Sequence, residues 1–345
     1  MGNNESPDYV RMSLAAAMTL DLAPGRFYRD AKLYCINLLV TYKDGCTASC
    51  SYCGLSKLRP GKYEKKSFIR VKWPVFHIDL ISDRISEKVK TGAVKRVCIS
   101  MVTRRRSVED TIALSKLIRS KSDVPISYLI SPTVVQAGDF PKFKDAGADK
   151  IGIAIDAVTE DIFNEHRGVG VKGPHKWQRY WDCFDEALEC FGKGNVGSHF
   201  MVGLGETEQE EVESIQRVRD LGGDTHLFAF FPEADSKLED LPRPTLPTYR
   251  RIQLARYLID NDIIRIDKME FNKNGQITGY GIDIEEYLLS GKPFMTSGCV
   301  GNDGEVACNR PFANEKPSEE LRNFPFQPDS EDIEKIKQEI WQYTT

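Results

Sequence analysis

The run Cys35-Ile-Asn-Leu-Leu-Val-Thr-Tyr42 is closely followed by Cys46-Thr-Ala-Ser-Cys50-Ser-Tyr-Cys53. The first run is short and apolar, so it predicts a buried strand over 35–42. The second run places three thiols on the loop after that strand, with the spacing C-x-x-x-C-x-x-C. A strand that leads directly into a thiol-rich loop predicts a site at the end of that strand.

Outside this stretch, short apolar runs alternate with amphipathic helical stretches, which is the pattern of a parallel sheet with crossover helices. Further strands are predicted at 96–102, 125–131, 150–156, 195–203, 224–231 and 264–271. Helices are predicted at 77–91, 107–120, 134–146, 159–166, 175–192, 206–221 and 247–261, with a terminal one near 331–343. Six or seven βα units in about 250 residues predict an α/β fold of the (β/α) barrel type, a complete or partial TIM barrel. A doubly wound sheet predicts the same order of elements, but no Gly-x-Gly-x-x-Gly follows the first strand.

The alternation of strands and helices also suggests where the domain begins and ends. Residues 1–34 are predicted to be an N-terminal lead-in, 35–290 the barrel, and 291–345 a C-terminal extension. No interdomain linker, repeat or low-complexity tract interrupts the barrel.

Composition excludes several classes of protein. The formal net charge of the 345 residues is −4, so no bulk positive field is present to hold nucleic acid or an anionic bilayer. No window approaches the roughly 18 apolar residues of a membrane-spanning helix, and the first residues lack the basic region of a secretory signal. We therefore expect a cytoplasmic protein without nucleic-acid or membrane partners.

The odd number of nine cysteines favours thiolate chemistry over a disulfide framework. Three thiolates as close as Cys46, Cys50 and Cys53 suit a soft metal centre, and in a [4Fe-4S] cube they would hold three irons. The fourth iron would then be open to a substrate or cofactor. A structural zinc is the alternative, but it normally has a fourth Cys or His nearby, and the closest histidine is His77.

The cysteine spacing and its place after the first strand resemble the radical S-adenosylmethionine (SAM) superfamily, over residues 35 to about 260. In that family the open iron binds the amino and carboxylate groups of SAM, and an electron from the cluster cleaves a carbon–sulfur bond to leave a 5′-deoxyadenosyl radical. The resemblance implies that Tyr52, the aromatic residue before the third cysteine, contacts the adenine. On physical grounds alone, Tyr52 could simply pack the loop.

Two further motifs resemble the biotin-synthase-like branch. Met201-Val-Gly203-Leu-Gly205-Glu206-Thr is similar to the turn whose backbone lines the adenosine pocket in that branch; a helix-entry turn is the alternative.

Ala154-Ile-Asp156 is similar to the segment that supplies the ribose ligand, so the resemblance assigns that role to Asp156; an N-cap for the following helix is the alternative. Arg167 is a candidate for the SAM carboxylate, against the alternative of a solvated arginine at a helix end.

The auxiliary cluster site of biotin synthase is not intact here. Cys98 matches one of its barrel cysteines, but the other two positions are Ile126-Ser-Tyr-Leu and Gly197. Taken alone, Cys98 is expected to be a small buried residue.

Another pair of thiols lies near the C-terminus, at Cys299 and Cys308. If Asp303-Gly304 forms a two-residue hairpin loop, these two cysteines lie directly opposite one another and reach one auxiliary cluster. A disulfide fits the same spacing, but a reducing compartment disfavours it.

The third ligand of such a cluster is expected to be Cys35, with Cys98 as the alternative. Cys35 lies at the end of its strand remote from the SAM loop, so it fits only if the tail wraps beneath the barrel. The fourth iron is expected to be open, or held by a hydroxyl or guanidinium such as Ser297 or Arg310.

Cys35 and these C-terminal cysteines resemble a biotin-synthase-related subfamily, the two-protein lipoyl synthase system of archaea and bacteria. That resemblance implies a sulfurtransferase that adds one sulfur to a protein-bound octanoyl chain, using [4Fe-4S] with SAM and a second [4Fe-4S] cluster. It implies a carrier protein bearing an octanoyl-lysine, a paralogous partner enzyme, and an electron donor such as ferredoxin or flavodoxin. The run 104–106 of three arginines is either a surface that steers an acidic carrier or simply solvated.

Other functions remain open. They are sulfur insertion into another substrate, a radical SAM methyltransferase or rearranging enzyme, and a non-enzymatic iron-sulfur carrier. A carrier would need no SAM pocket, and sulfur insertion consumes a sulfide donor such as a second cluster, whereas many other radical reactions do not.

Overall fold

The computed structural model describes residues 4–69, 71–309 and 319–343. One eight-stranded sheet runs through it in the order β3-β1-β2-β4-β5-β6-β7-β8. The strands are β1 (Tyr9–Met12), β2 (Cys35–Val40), β3 (Val75–His77), β4 (Arg96–Ser100), β5 (Ile126–Ile130), β6 (Ala148–Asp156), β7 (Val196–Val202) and β8 (Asp224–Ala229). From β2 to β8 all neighbours are parallel. Because β8 ends the sheet, the barrel in the described part of the chain is partial.

The α-helices of the described residues are α1 (Leu14–Thr19), α2 (Ile78–Lys90), α3 (Arg106–Lys121), α4 (Phe140–Asp145), α5 (Glu160–His166), α6 (Trp177–Phe191), α7 (Glu208–Leu221), α8 (Leu246–Asp260), α9 (Glu285–Ser290) and α10 (Ser330–Glu339). Of these, α2 to α7 lie in the connections between the parallel strands from β2 to β8. The α/β barrel predicted from the alternation is therefore confirmed in its partial form. No helix among the described residues has the length and apolar character needed to cross a bilayer.

Two predicted elements differ from the structure. The seventh strand at 264–271 is wrong: a 3₁₀ turn occupies Ile266–Lys268, and β9 (Glu270–Phe271) pairs only with β10 (Ile277–Gly279) in a separate ribbon. The helix predicted at 134–146 begins only at Phe140, because the capped 3₁₀ turn Ala137–Asp139 precedes it.

The predicted lead-in contains a strand of the main sheet. Strand β1 pairs antiparallel with both β2 and β3, and Val10 and Met12 are fully buried. The division of the chain at residues 34 and 290 stays a prediction, but this part of the lead-in belongs to the barrel's own sheet.

The C-terminal segment passes under the barrel, at the amino-terminal ends of the strands. The Arg96 side chain at the start of β4 donates from Nε to the carbonyl of Val300 at 2.6 Å. The Oδ1 atom of Asn309 accepts from the backbone N–H of Tyr34, at 3.3 Å, just before β2. The segment containing Cys299 and Cys308 therefore lies at the end of the barrel where Cys35 begins its strand.

Candidate functional site

The cysteine loop forms one wall of a large cavity at the carboxyl ends of the strands. The cavity has an empty volume of about 1270 Å³, and Cys46, Cys50 and Cys53 all line it. Side chains from the strands complete the wall, among them Leu39, Ser100, Leu129, Ala154, His199, Met201 and Phe228. We call this space the upper cavity.

Hydrogen bonds from several loops fix the conformation of the cysteine loop. The N–H of Ser51 donates to the carbonyl of His166 at 2.9 Å, and the Ser51 hydroxyl lies 3.0 Å from His166 Nδ1. The other ring nitrogen of His166 lies 3.2 Å from the carbonyl oxygen of Leu204. Ser49 donates from its hydroxyl to the carbonyl of Val171 at 2.8 Å. The loop is thus held before any ligand arrives.

The three thiols provide the donor chemistry that an iron-sulfur cluster needs. Burial raises the pKa of Cys50 to about 11, with Arg167 acting in the opposite direction. Burial likewise raises the pKa of Cys53 well above its ordinary value. Both are therefore protonated until a metal displaces the proton. Among the described residues, no three His, Cys, Asp or Glu side chains converge closely enough for a single metal ion, whereas a cube binds each sulfur to a different iron.

Tyr52, Asp156 and Arg167 meet on the wall of the upper cavity. The Tyr52 hydroxyl donates to Asp156 Oδ2 at 2.5 Å, and Arg167 Nη1 lies 3.3 Å from the same oxygen. Burial raises the pKa of the Asp156 carboxyl, whereas Arg167 and the Tyr52 hydrogen bond lower it. Arg167 also donates to the Tyr180 hydroxyl at 3.0 Å.

The structure decides two of the alternatives left open by the sequence. The N-cap of α5 is Thr159, whose side chain accepts from the N–H of Ile162 at 3.3 Å, so Asp156 does not cap that helix. Arg167 is only 6% exposed and is not solvated. The proposed contacts of Tyr52, Asp156 and Arg167 with SAM stay predictions.

The turn with Gly203 and Gly205 has a structural reason for both glycines. Their φ angles are 107° and 121°, in a region that side chains rarely adopt. The carboxylate of Glu206 accepts from the N–H groups of Gly203 at 2.5 Å and Leu204 at 2.9 Å. A Cβ on Gly203 would meet Pro244 at 2.8 Å. Neither glycine lines the upper cavity, so a role in cofactor binding stays a prediction.

A second cavity, of about 910 Å³, lies toward the amino-terminal ends of the strands, and we call it the lower cavity. Cys98, Cys299 and Cys308 all line it. Leu129, His199 and Phe228 line both cavities. The two spaces are therefore stacked inside one barrel with a shared wall.

The hairpin that carries Cys299 and Cys308 has a different register from the predicted one. Val300 pairs with Val306, and the turn bond runs from the N–H of Gly304 to the carbonyl of Gly301, at 3.1 Å. The loop therefore has three residues, with Gly304 at a φ of 78°, and the predicted two-residue loop is wrong. Cys308 returns to Cys299 because the carbonyl of Cys299 accepts from the N–H groups of both Ala307 and Cys308.

Four cysteines lie at this end of the barrel, and three of them, Cys98, Cys299 and Cys308, line the lower cavity. Burial raises the pKa of Cys299 to about 12, with further contributions from Cys308 and Cys98 and an opposing one from Arg96. Cys35 lies on the inner face of β2, four residues before Leu39, and it too interacts electrostatically with Arg96. Cys98 lines the lower cavity and Cys35 does not.

Of the two further candidate ligands, Ser297 lines the lower cavity as well. No disulfide joins any of the nine cysteines. The Ser297 hydroxyl donates to the carbonyl of Thr225 at 3.4 Å. Arg310 lies outside the described residues.

The side chains of the three arginines after β4 form hydrogen bonds and ion pairs within the protein. Arg104 donates to the carbonyl of Asp44 at 2.9 Å, just before the cysteine loop, and Arg106 pairs with Glu5 at 3.1 Å. Arg105 has the most exposed side chain of the three, at 58%. Steering of an acidic partner by this run stays a prediction.

Sequence reasoning missed the histidines inside the barrel. His175 lines the upper cavity, 2.6 Å from the Thr133 hydroxyl and 3.0 Å from the Tyr180 hydroxyl, and burial together with Arg167 lowers its pKa to about 2. His199 and His226 line the cavities from β7 and β8. Isolated histidines carry no spacing signal; the strand register could have found His199 and His226, whereas His175 lies on the loop before α6.

A partial barrel with a three-cysteine loop at its mouth defines a class of iron-sulfur proteins. Residues 40–218, more than half of the chain, match the radical SAM superfamily, and the chain belongs to that superfamily. Members of this family use a [4Fe-4S] cluster together with SAM, and the cysteine loop has the donors for that cluster. None of the curated proteins matches the chain in sequence.

The solved structures to which this chain is similar are distant in sequence. HydG, a maturase of [FeFe]-hydrogenase, has a TM-score of 0.52 and 13% identity over 71% of this chain and 53% of its own. HydG from Carboxydothermus hydrogenoformans has a TM-score of 0.53 and 13% identity over 72% of this chain and 55% of its own. Coproporphyrinogen III oxidase (HemN) from Escherichia coli, a radical SAM enzyme, has a TM-score of 0.35 and 13% identity over 61% of this chain and 51% of its own. The chain spans about half the length of these structures, and the HydG likeness establishes the fold alone.

Proposed function

We propose that this protein is a radical SAM sulfurtransferase that adds one sulfur atom to an octanoyl chain attached to a protein lysine, a step of lipoyl cofactor assembly. The observation that supports the proposal is the pair of stacked cavities. Cysteines line both cavities, and the two share Leu129, His199 and Phe228. A carbon held at the bottom of the upper cavity would therefore face the lower cavity directly.

In this proposal Cys46, Cys50 and Cys53 hold the [4Fe-4S] cluster to which SAM binds. The cluster and SAM supply the carbon radical that removes hydrogen from an unactivated C–H bond. The Asp156 carboxylate accepts hydrogen bonds from the ribose hydroxyls of SAM. Arg167 forms an ion pair with the carboxylate of SAM. Tyr52 contacts the adenine and holds the Asp156 carboxylate through its own hydroxyl, 2.5 Å away.

The lining of the upper cavity supports an aliphatic substrate. Side chains from the strand ends and the loops after them, such as Met101, Leu129, Ile130 and Phe228, make the wall largely apolar. An alkyl chain gains about 25 cal/mol for each Å² of apolar surface that it buries there. An acyl chain on a lysine could enter through the mouth while its carrier domain stays outside.

The lower cavity is the proposed source of sulfur. Cys299 and Cys308 are two ligands of a second cluster, and either Cys98 or Cys35 is the third. Cys98 has the better support because it lines the cavity itself, whereas Cys35 rests on its place on the inner face of β2 and on the resemblance. Inserted sulfur would come from this second cluster.

The partners are part of the same proposal. They are a carrier protein that bears the octanoyl-lysine, a paralogous enzyme that adds the other sulfur, and a ferredoxin or flavodoxin as electron donor.

Mass spectrometry of an octanoyl-lysyl peptide tests the function. The protein is reconstituted anaerobically and incubated with the peptide, SAM and reductant. We expect one sulfur atom to be added to the chain, and Cys299→Ala/Cys308→Ala to retain SAM cleavage without sulfur addition. A methylated or rearranged product would assign the protein to another radical SAM reaction, and SAM cleavage without any change in peptides of this type would exclude the substrate.

A further inference from the structure

Two imidazole rings lie next to one another inside the barrel, each beside a glycine of the neighbouring strand. His199 of β7 and His226 of β8 are register partners, and their ring centroids are 5.5 Å apart. A Cβ on Gly197 would lie 3.2 Å from His226 Nε2, and one on Gly152 would lie 3.6 Å from His199 Nε2. The His226 ring therefore packs tightly against the position of a Gly197 side chain, whereas the His199 ring lies at an ordinary contact distance from that of Gly152.

The two rings differ in the cavity that they face. His199 lines both cavities, whereas His226 lines only the lower one. The segment that leads to Cys299 runs beside His226, because the Ser297 hydroxyl donates to the carbonyl of the adjacent Thr225 at 3.4 Å. His226 therefore shares one space with Cys98, Cys299 and Cys308.

Three other polar side chains that line the lower cavity form hydrogen bonds within the protein. Lys150 donates from Nζ to the carbonyl of Gly194 at 2.5 Å. Asn323 exchanges hydrogen bonds with the Tyr249 hydroxyl at 3.0 and 3.1 Å. The Ser297 hydroxyl is directed to a backbone carbonyl.

Imidazole nitrogen is an established ligand of iron in iron-sulfur centres. Three cysteines on a [4Fe-4S] cube leave one iron without a protein ligand. A histidine on the same cavity wall supplies the missing donor and is neutral when it binds. Binding uses the lone pair of one ring nitrogen and leaves the proton on the other, so no electron is transferred.

We propose that His226 is the fourth protein ligand of the cluster in the lower cavity. The inference rests on the second cluster of the proposed function and names its fourth ligand. It replaces Ser297 and Arg310 in that role.

Pulsed electron paramagnetic resonance tests this ligand without any turnover. The Cys46→Ala/Cys50→Ala/Cys53→Ala protein is expressed with ¹⁵N-histidine, reconstituted with iron and sulfide, and reduced. Because this variant lacks the cysteines of the upper site, any signal comes from the lower cluster. We expect a directly bound histidine nitrogen, and its coupling should disappear in His226→Ala. The matched control His199→Ala should keep both the coupling and the iron content.

A second pair of variants, with smaller changes, tests the ligand even if His226→Ala does not fold. In Gly197→Ala the new Cβ lies 3.2 and 3.4 Å from two atoms of the His226 ring and 3.2 Å from the backbone carbonyl oxygen of Asp224, so we expect a small shift of the ring and a changed coupling at unaltered iron content. The Gly152→Ala control, whose Cβ meets Leu129 at 3.2 Å and His199 at 3.6 Å, should leave the coupling unchanged.

Three outcomes overturn the proposal. They are an iron-loaded triple variant without histidine coupling, a coupling that survives His226→Ala, and a coupling lost only in His199→Ala. A triple variant that binds no iron removes the second cluster and this ligand together, so the two failures are distinguishable.

Discussion

Asp156 shows how much of the site depends on one residue. Its φ angle is 65°, a left-handed conformation that aspartate tolerates better than most residues but that still costs energy. The Tyr52 hydroxyl and the Arg167 guanidinium both contact its carboxylate. The strand end is therefore held in a strained shape that presents this carboxylate to the upper cavity.

Asp156→Asn should weaken SAM binding by about 1 to 3 kcal/mol, because hydrogen bonds to a charged group become bonds to a neutral one. The dissociation constant for SAM, measured on reconstituted protein, checks this. Unchanged affinity would exclude Asp156 as a SAM ligand.

Thr159→Ala is the matched control for that variant. It removes the true N-cap of α5 and should lower the free energy of unfolding by about 1 kcal/mol. SAM affinity should not change, because Thr159 does not line the upper cavity.

The sequence predicts site residues that lie close together on one loop, and it misses site residues that are brought together by the register of neighbouring strands. Cys46, Cys50 and Cys53 are visible in the sequence because a cluster requires them close together on one loop. His199 and His226 are 27 residues apart by their numbers and meet only because parallel strands place them at one level. Nothing local in the sequence marks them.

Among the elements, the C-terminal hairpin is attached to the barrel in part by one buried arginine. The Arg96 side chain is 1% exposed and forms two hydrogen bonds of 2.6 Å to Asp149, besides its bond to Val300. Asp149 keeps the guanidinium oriented toward the hairpin.

Asp149→Asn should therefore lower the free energy of unfolding by about 1 to 3 kcal/mol, because the buried guanidinium loses its charged partner. Urea denaturation measures the change. The control Asp303→Asn weakens the exposed pair with Lys95 at 2.6 Å and should have almost no effect. Equal effects of the two variants would contradict this role for Arg96.

The end of α8 carries a carboxyl group that makes stability depend on pH. Burial raises the pKa of Asp260 to about 7, against the lowering effect of Arg256, while Asp224 raises it and Arg219 lowers it. Between about pH 4 and pH 7 the folded protein keeps a proton that the unfolded chain has lost. The contribution of Asp260 to the free energy of unfolding therefore falls as pH rises through this window.

Asp260→Asn should flatten that dependence and stabilise the protein above pH 7, because the amide can still accept from the N–H of Thr225, which lies 3.2 Å from Asp260 Oδ2. Thermal unfolding at several pH values checks this. The same slope in the variant as in the unchanged protein would assign the pH dependence to other groups.

The errors at the element scale have local causes. The sequence predicts a two-residue hairpin loop at Asp303-Gly304. In the structure the turn begins at Gly301, and Gly304 is the last residue of a three-residue loop. Strands β1 and β3 have four and three residues, too few for a periodic pattern. The helices and long parallel strands were predictable because their apolar periodicity extends over many residues.

In the molecule as a whole, two cavities share the axis of one barrel. The alternation of strands and helices predicts the barrel, and the cysteine loop predicts the site at its mouth. The lower cavity depends on contacts between the tail and the strand starts, such as Arg96 with Val300 and Tyr34 with Asn309. Contacts so distant in sequence leave no pattern in a single chain, which is why the sequence offers both Cys35 and Cys98 beside Cys299 and Cys308 without placing Cys98 on a cavity wall with them.

Iron and sulfide content of the Cys46→Ala/Cys50→Ala/Cys53→Ala protein tests the second cluster most directly. After anaerobic reconstitution this variant should bind about four irons, since the lower cavity retains its own cysteines. Adding Cys299→Ala and Cys308→Ala should remove them. A colourless triple variant without iron would contradict the second cluster and with it the proposed source of sulfur.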